Sequence, residues 1–273
     1  MRHMRVGASE PFSVLHISDT HLTAAYAHEA VAASGQAALR ARIFGGKQEE
    51  AFRDSLAWAK EHVDYVLHTG DLIDFQSEAN FDLVKKYCGC AVFGSVGNHE
   101  FYTYRPEEIR TQQESFKDCS WPVLKANLPV DARFSSKVVN GVNFVCLDDS
   151  FGTVAPEQVE RFHMEVKRGL PIVLCMHTPF FTDDLWLMFA RYWDLKGGLF
   201  RTTEVPESAL GLKRWCDDVV TKDFIAYLKS ERLLKGILTG HAHVAMQDRF
   251  SETAMEYVVG GNFMFHGQEI LFT

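Results

Sequence analysis

Short apolar runs recur along this chain, and several of them end on a polar phrase. Phe12-Ser13-Val14-Leu15-His16-Ile17 runs into Ser18-Asp19-Thr20-His21. Residues 65–68 end at Gly70-Asp71, and 90–93 end at Gly97-Asn98. Residues 172–176 deliver His177, and Gly236-Ile237-Leu238-Thr239 leads to Gly240-His241-Ala242-His243. Apolar runs of this length bounded by turn residues read as buried strands. Between them the period changes. Phe52, Leu56, Ala59 and Val63 recur at helical spacing over 47–62, and a second helix is expected around 78–87. This β-α-β-α-β order predicts a parallel layer with covering helices.

Further along, 106–119 reads as a helix. Residues 134–139 and 142–147 flank Asn140-Gly141, a strong hairpin signal. Pro156 opens a helix to about Arg168, and another spans 221–232. The last stretch, 246–273, reads as antiparallel, with strands at 255–259 and 269–272. Two segments interrupt the scheme. Residues 24–43 are Ala-rich and helical by propensity, either an insertion beside the site (about 24–46) or an ordinary surface helix. Residues 178–220 are aromatic without clean periodicity, including Phe180, Phe181, Trp186, Phe189, Tyr192, Trp193, Phe200 and Trp215. So long a segment reads as a second insertion over the site, or as a peripheral packing element.

The 273 residues, 47% hydrophobic, suffice for one domain spanning 1–273. The net charge of −8 comes without a basic stripe. That speaks against a nucleic acid polymer and for a small substrate. Six cysteines with no apolar leader segment before them suggest reduced thiols and a cytoplasmic location. No run approaches the ~18 apolar residues of a membrane span. Oligomeric state is not legible.

Asp19, His21, Asp71, Asn98, His177, His241 and His243 all fall where strands end. Ligands bind there in α/β sheets. Mixed oxygen and imidazole donors suit Mn²⁺, Fe or Zn²⁺, with Mn²⁺ the ion to expect in vitro. The series Asp19-x-His21, Gly70-Asp71-x-x-Asp74, Gly97-Asn98-His99-Glu100, His177 and Gly240-His241-x-His243 resembles the calcineurin-like metallophosphoesterase superfamily. Its motifs cover 19–243, nearly the whole chain.

The resemblance implies an α/β fold of two packed mixed β-sheets flanked by helices, an α/β/β/α sandwich. It implies two divalent metal ions. Asp19, His21 and His243 would hold the first, Asn98, His177 and His241 the second, and Asp71 would bridge them. His99 would face the leaving-group oxygen, oriented by Asp74. The reaction implied is hydrolysis of a phosphate ester by a metal-activated hydroxide, with a small-molecule phosphodiester favoured. Asp74 and His21 depart from the purple acid phosphatase branch, which has Tyr at the first position and lacks the second. Bacterial phosphodiesterase-like members match better. The alternatives are a phosphomonoesterase, a nuclease, and a non-catalytic scaffold whose ligands have decayed. The complete ligand set argues against the scaffold.

Overall fold

The computed structural model describes residues 1–89, 92–104, 117–180, 182, 184, 185, 187, 188 and 218–273. Five strands form a first sheet: β1 (Arg2–Met4), β2 (Phe12–Ile17), β3 (Tyr65–Thr69), β4 (Val92–Ser95) and β11 (Gln268–Phe272). Their spatial order is β1-β11-β2-β3-β4. The second sheet holds β5 (Phe134–Val139), β6 (Val142–Leu147), β7 (Ile172–Cys175), β8 (Leu234–Thr239), β10 (Met255–Val258) and β9 (Met246–Arg249), in that order.

Alternation along the strands explains the layers. Phe12 and Val14 point into the core between the sheets, where they meet Leu67, Phe144, Val173, Cys175, Leu238, Ile270 and Phe272. Their neighbours Leu15 and Ile17 face the other way. There they meet Phe52 and Ala59 of α3 (Gln48–His62) and Phe81 and Val84 of α4 (Glu78–Cys88). Val145, Leu174 and Ile237 likewise face outward onto Phe162 of α6 (Pro156–Val166) and Phe224 and Leu228 of α7 (Val219–Ser230). The layers therefore run helix, sheet, sheet, helix, and both sheets mix parallel and antiparallel pairs. Strands buried on both faces read as continuous apolar runs, as β6 and β7 do.

Several expectations need adjustment. The 24–43 stretch is not one helix. Residues 24–29 are irregular, and α1 (Ala30–Ala33) and α2 (Gln36–Ile43) are separated at Ser34-Gly35. The C-terminal stretch is not simply antiparallel. β10 pairs antiparallel with β9 but parallel with β8. β11 crosses to the first sheet, antiparallel to β2 and parallel to β1. A short helix, α5 (Trp121–Asn127), had no sequence signal. Most of the expected helix at 106–119 and most of 178–220 lie outside the described residues. Among the described residues no helix is long and apolar enough to cross a membrane. Cys146 and Cys175 sit side by side on β6 and β7 as free thiols.

Candidate metal centre

The loops after β2, β3 and β4 meet the loops after β7 and β8 along one edge of the two sheets. Backbone bonds stitch them together. Asp19 N–H donates to Gly70 O (2.9 Å), His21 N–H to Asp71 O (2.9 Å) and Gly240 N–H to His177 O (3.0 Å). Each loop turns sharply. Asp19, His21, Asp71, His241 and His243 all adopt left-handed backbone, with φ of 55°, 52°, 56°, 61° and 56°. That conformation costs a non-glycine residue ~1–2 kcal/mol, so the surrounding contacts must hold it. Two glycines allow the approach. A Cβ at Gly97 would lie 2.3 Å from Asp71 Oδ1, and one at Gly240 would lie 1.9 Å from Ser18 Oγ.

Two donor groups result. Asp19, His21 and His243 bring ligand atoms within 4.8 Å of one another, and so do Asp71, His177 and His241. Asp71 lies between the groups. Its Oδ2 is 3.2 Å from His177 Nε2 and 3.7 Å from His21 Nε2. Imidazole nitrogens face each other at 3.2 Å (His21 Nε2 to His243 Nε2) and 3.1 Å (His241 Nδ1 to His177 Nε2). Asn98 Oδ1 is buried without a hydrogen-bond partner, and Asp19 Oδ1 is buried with His243 Nε2 beside it at 3.3 Å but no aligned donor. An orphaned buried acceptor costs ~1–3 kcal/mol, and a cation removes that cost. With mixed imidazole, carboxylate and amide donors, these residues fit a pair of borderline divalent ions.

His99 stands at the rim, its backbone N–H donating to Asp71 Oδ1 (2.9 Å). Its Nδ1 lies 2.9 Å from Asp74 Oδ1, and His21 Nδ1 lies 3.1 Å from the same oxygen. A third donor group, His21, Asp74 and His99, is thus built around Asp74.

The charges are strongly interdependent. Burial opposes ionisation of Asp71, but His177, His99 and His21 hold it well below the usual carboxylate range. Burial also opposes ionisation of Asp19, which His243 and His177 hold down. Burial disfavours the cation of His177, yet Asp71, Asp19 and Asp149 raise it to about 10. Its Nδ1 donates to Thr69 O (2.8 Å), which leaves Nε2 directed at Asp71 and His241. Burial takes His21 down to about 4 despite its bond to Asp74.

Sequence reasoning missed several supports. Glu100 accepts from the backbone N–H groups of Asp71 (3.0 Å), Leu72 (2.6 Å), Ile73 (3.1 Å) and Gly97 (2.7 Å). Burial and the nearby Asp71 raise it to about 7. Asp149 accepts from His177 N–H (2.8 Å) and Thr178 N–H (2.9 Å). Its place just beyond an apolar strand was the available signal, as for the other motifs. Phe44 stacks on His21 at 4.0 Å, and Phe263 packs edge-on against both Phe44 and His243. Arg40 clamps Asp74. These contacts have no local signature. His16 and His68 are buried behind the loops, bonded to Thr69 and Thr20. His266, in the loop before β11, is exposed.

A sandwich with paired donor groups at the strand ends defines the architecture of a dinuclear metallohydrolase. Residues 12–258 match the calcineurin-like phosphoesterase family, and the chain belongs to it. Members of this family bind a dinuclear metal centre and are hydrolases. A dimetal phosphatase from Danio rerio has a similar structure, with a TM-score of 0.57 and 14% identity over 95% of this chain and 92% of that one. A purple acid phosphatase from yellow lupin (Lupinus luteus) has a TM-score of 0.51 and 14% identity over 94% of this chain but only 45% of the lupin one. At such identities the likeness concerns the fold. No curated protein matches the sequence.

Proposed function

We propose that this protein is a dimetal phosphoesterase that hydrolyses a small-molecule phosphodiester. The observation that carries the reading is Asp71, set between two donor groups that each supply imidazole. In this reading Asp19, His21 and His243 hold one ion, and Asn98, His177 and His241 the other, with Asp71 shared. Bound there, two ions would supply an activated water and charge stabilisation for in-line displacement. The chain's own residues do the rest. Asp71 would be the shared ligand, and its loop is held by Glu100, which accepts from the Asp71 N–H. Asp74 keeps the proton of His99 on Nδ1 and turns Nε2 toward the rim, where it faces the departing oxygen.

A diester rather than a monoester is favoured by the state of Arg40. Its Nε and Nη2 are both bonded to Asp74, so the edge that would grip a dianionic phosphate side-on is already occupied by a carboxylate. Tyr102, half-buried beside His99 with ring centroids 5.0 Å apart, offers a face for the second ester group. Mn²⁺ is the ion to try first, and a reducing, cytoplasmic setting suits the free Cys146–Cys175 neighbours.

The test is hydrolysis of bis-p-nitrophenyl phosphate against p-nitrophenyl phosphate, after chelation and with Mn²⁺ restored. Faster, metal-dependent cleavage of the diester is expected. A preference for the monoester would move the reading to a phosphomonoesterase of the same fold.

A further inference from the structure

Arg40 belongs to no strand-end motif. It lies on α2, in the segment between the first and second motifs, with its side chain 19% exposed. Its guanidinium holds Asp74 through two bonds, Nε to Oδ2 at 2.7 Å and Nη2 to Oδ1 at 2.8 Å. The guanidinium also lies over the rings of Phe44 (4.9 Å) and Tyr104 (5.3 Å).

Asp74 has an unusual task. One oxygen, Oδ1, faces Nδ1 of two imidazoles, His21 at 3.1 Å and His99 at 2.9 Å. A carboxylate shared in this way is not oriented by either ring, because a swing toward one loosens the other. A planar fork bound to both oxygens removes that freedom, and a point charge does not. His99 Nδ1 also lies 3.1 Å from the Asp74 backbone O, so for this ring the carboxylate adds to a main-chain hold. With Asp74 fixed, each ring keeps its proton on Nδ1. Each then presents Nε2 elsewhere: that of His21 lies 3.2 Å from His243 Nε2 and 3.9 Å from Asp19 Oδ1.

We propose that Arg40 is a positioning residue for the phosphoesterase reaction, which through Asp74 sets the tautomer and orientation of His21 and His99 together. It couples a ligand of one ion to the group that faces the leaving oxygen. The same ion pair docks α2, and with it Phe44 on the His21 ring, so docking of this segment and alignment of the two histidines rise and fall together. The inference rests on the proposed roles of these histidines.

The test uses Arg40→Ala and Arg40→Lys in the full chain loaded with Zn²⁺. Two readouts are needed, NMR of ¹⁵N-histidine-labelled protein and turnover. Wild type should show two slowly exchanging Nδ1–H protons assigned to His21 and His99, and Arg40→Ala should shift or lose both. Its kcat should fall about 10–100-fold with KM little changed. The fall should be larger for an alkyl phosphoester than for a nitrophenyl ester. Methylguanidinium should restore part of the loss and methylammonium none. Unchanged Nδ1–H signals in folded Arg40→Ala, or a loss fully repaired by lysine, would overturn the proposal. Should Arg40→Ala not fold, the Arg40→Lys spectrum decides: altered signals support the role and unaltered ones refute it. If wild type cleaves no phosphoester, the proposed function fails, while the NMR reading of Arg40 stands or falls separately.

Discussion

The loops capping the first sheet carry Asp19, His21, Asp71, Asp74, Asn98 and His99, whereas the ligand candidates on those capping the second are imidazoles alone, His177, His241 and His243, with the Asp149 carboxylate behind them on the His177 N–H. Among the ligand candidates, the first edge offers carboxylates with its imidazoles and the second offers imidazoles only. Neither edge makes either two-sheet donor group alone. Asp19 needs His243, and Asp71 needs His177 and His241. The centre therefore exists only when the sheets are docked, and the core between them, Phe12, Phe144, Phe272 and Leu238 among it, sets the spacing of the ligands.

The supports differ as well. Glu100 gathers the N–H groups of the Asp71 loop and of Gly97, so it steadies the residue proposed to be shared between the two ions. Asp149 steadies His177, which is proposed to serve one. The scaffold is thus asymmetric: damage on the first-sheet side should reach both ions, and damage on the second-sheet side mainly one.

The largest expected effect comes from Asp71→Asn. Removing the shared charge should abolish activity and weaken both ions, read by metal content after dialysis. Wild-type metal content in that variant would break the comparison at its centre. A smaller, paired effect sharpens it. Glu100→Gln should lower retention of both ions, and Asp149→Asn should lower that of one, each by about 10–100-fold, with stepwise metal titration as the readout. Equal behaviour of the two variants would erase the asymmetry.

The smallest effect concerns the second sheet alone. Glu256, buried on β10, accepts from Phe180 N–H (3.0 Å) and Thr239 Oγ1 (3.1 Å), and burial raises its carboxyl from 4.5 to about 8. The folded chain therefore binds this proton more tightly than the unfolded chain. The stability it contributes is full below about 4.5 and is lost as pH rises through about 8. Glu256→Gln should reduce the fall in Tm between pH 7 and pH 9 by about 3–5 °C, equivalent to about 1.4 kcal/mol. An unchanged fall would remove Glu256 as its source.

Sequence patterning reached the strands that end in motifs because both periods and turn residues act locally. Asn140-Gly141 closes its hairpin with φ of 45° and 81°, as the dipeptide implied. The pattern could not say that β10 lies parallel to β8, or that β11 leaves for the first sheet. Alternation is the same whichever neighbour a strand takes. β1, three residues long, has too few positions to show a period. The same limit applies at the site. The ligand candidates Asp19, Asp71 and His177 were legible because each follows an apolar strand. Arg40, Phe44 and Phe263 reach the centre only through tertiary contacts, and nothing in their neighbours in sequence marks them.

Bound metal and recovered activity, measured together as Mn²⁺ is returned to the chelated protein, test the two-sheet centre most directly. Two ions per chain are predicted, with diester cleavage rising until the second is bound. Full activity with one ion bound, or two ions bound without dependence on Asp71, would contradict a centre shared between the sheets.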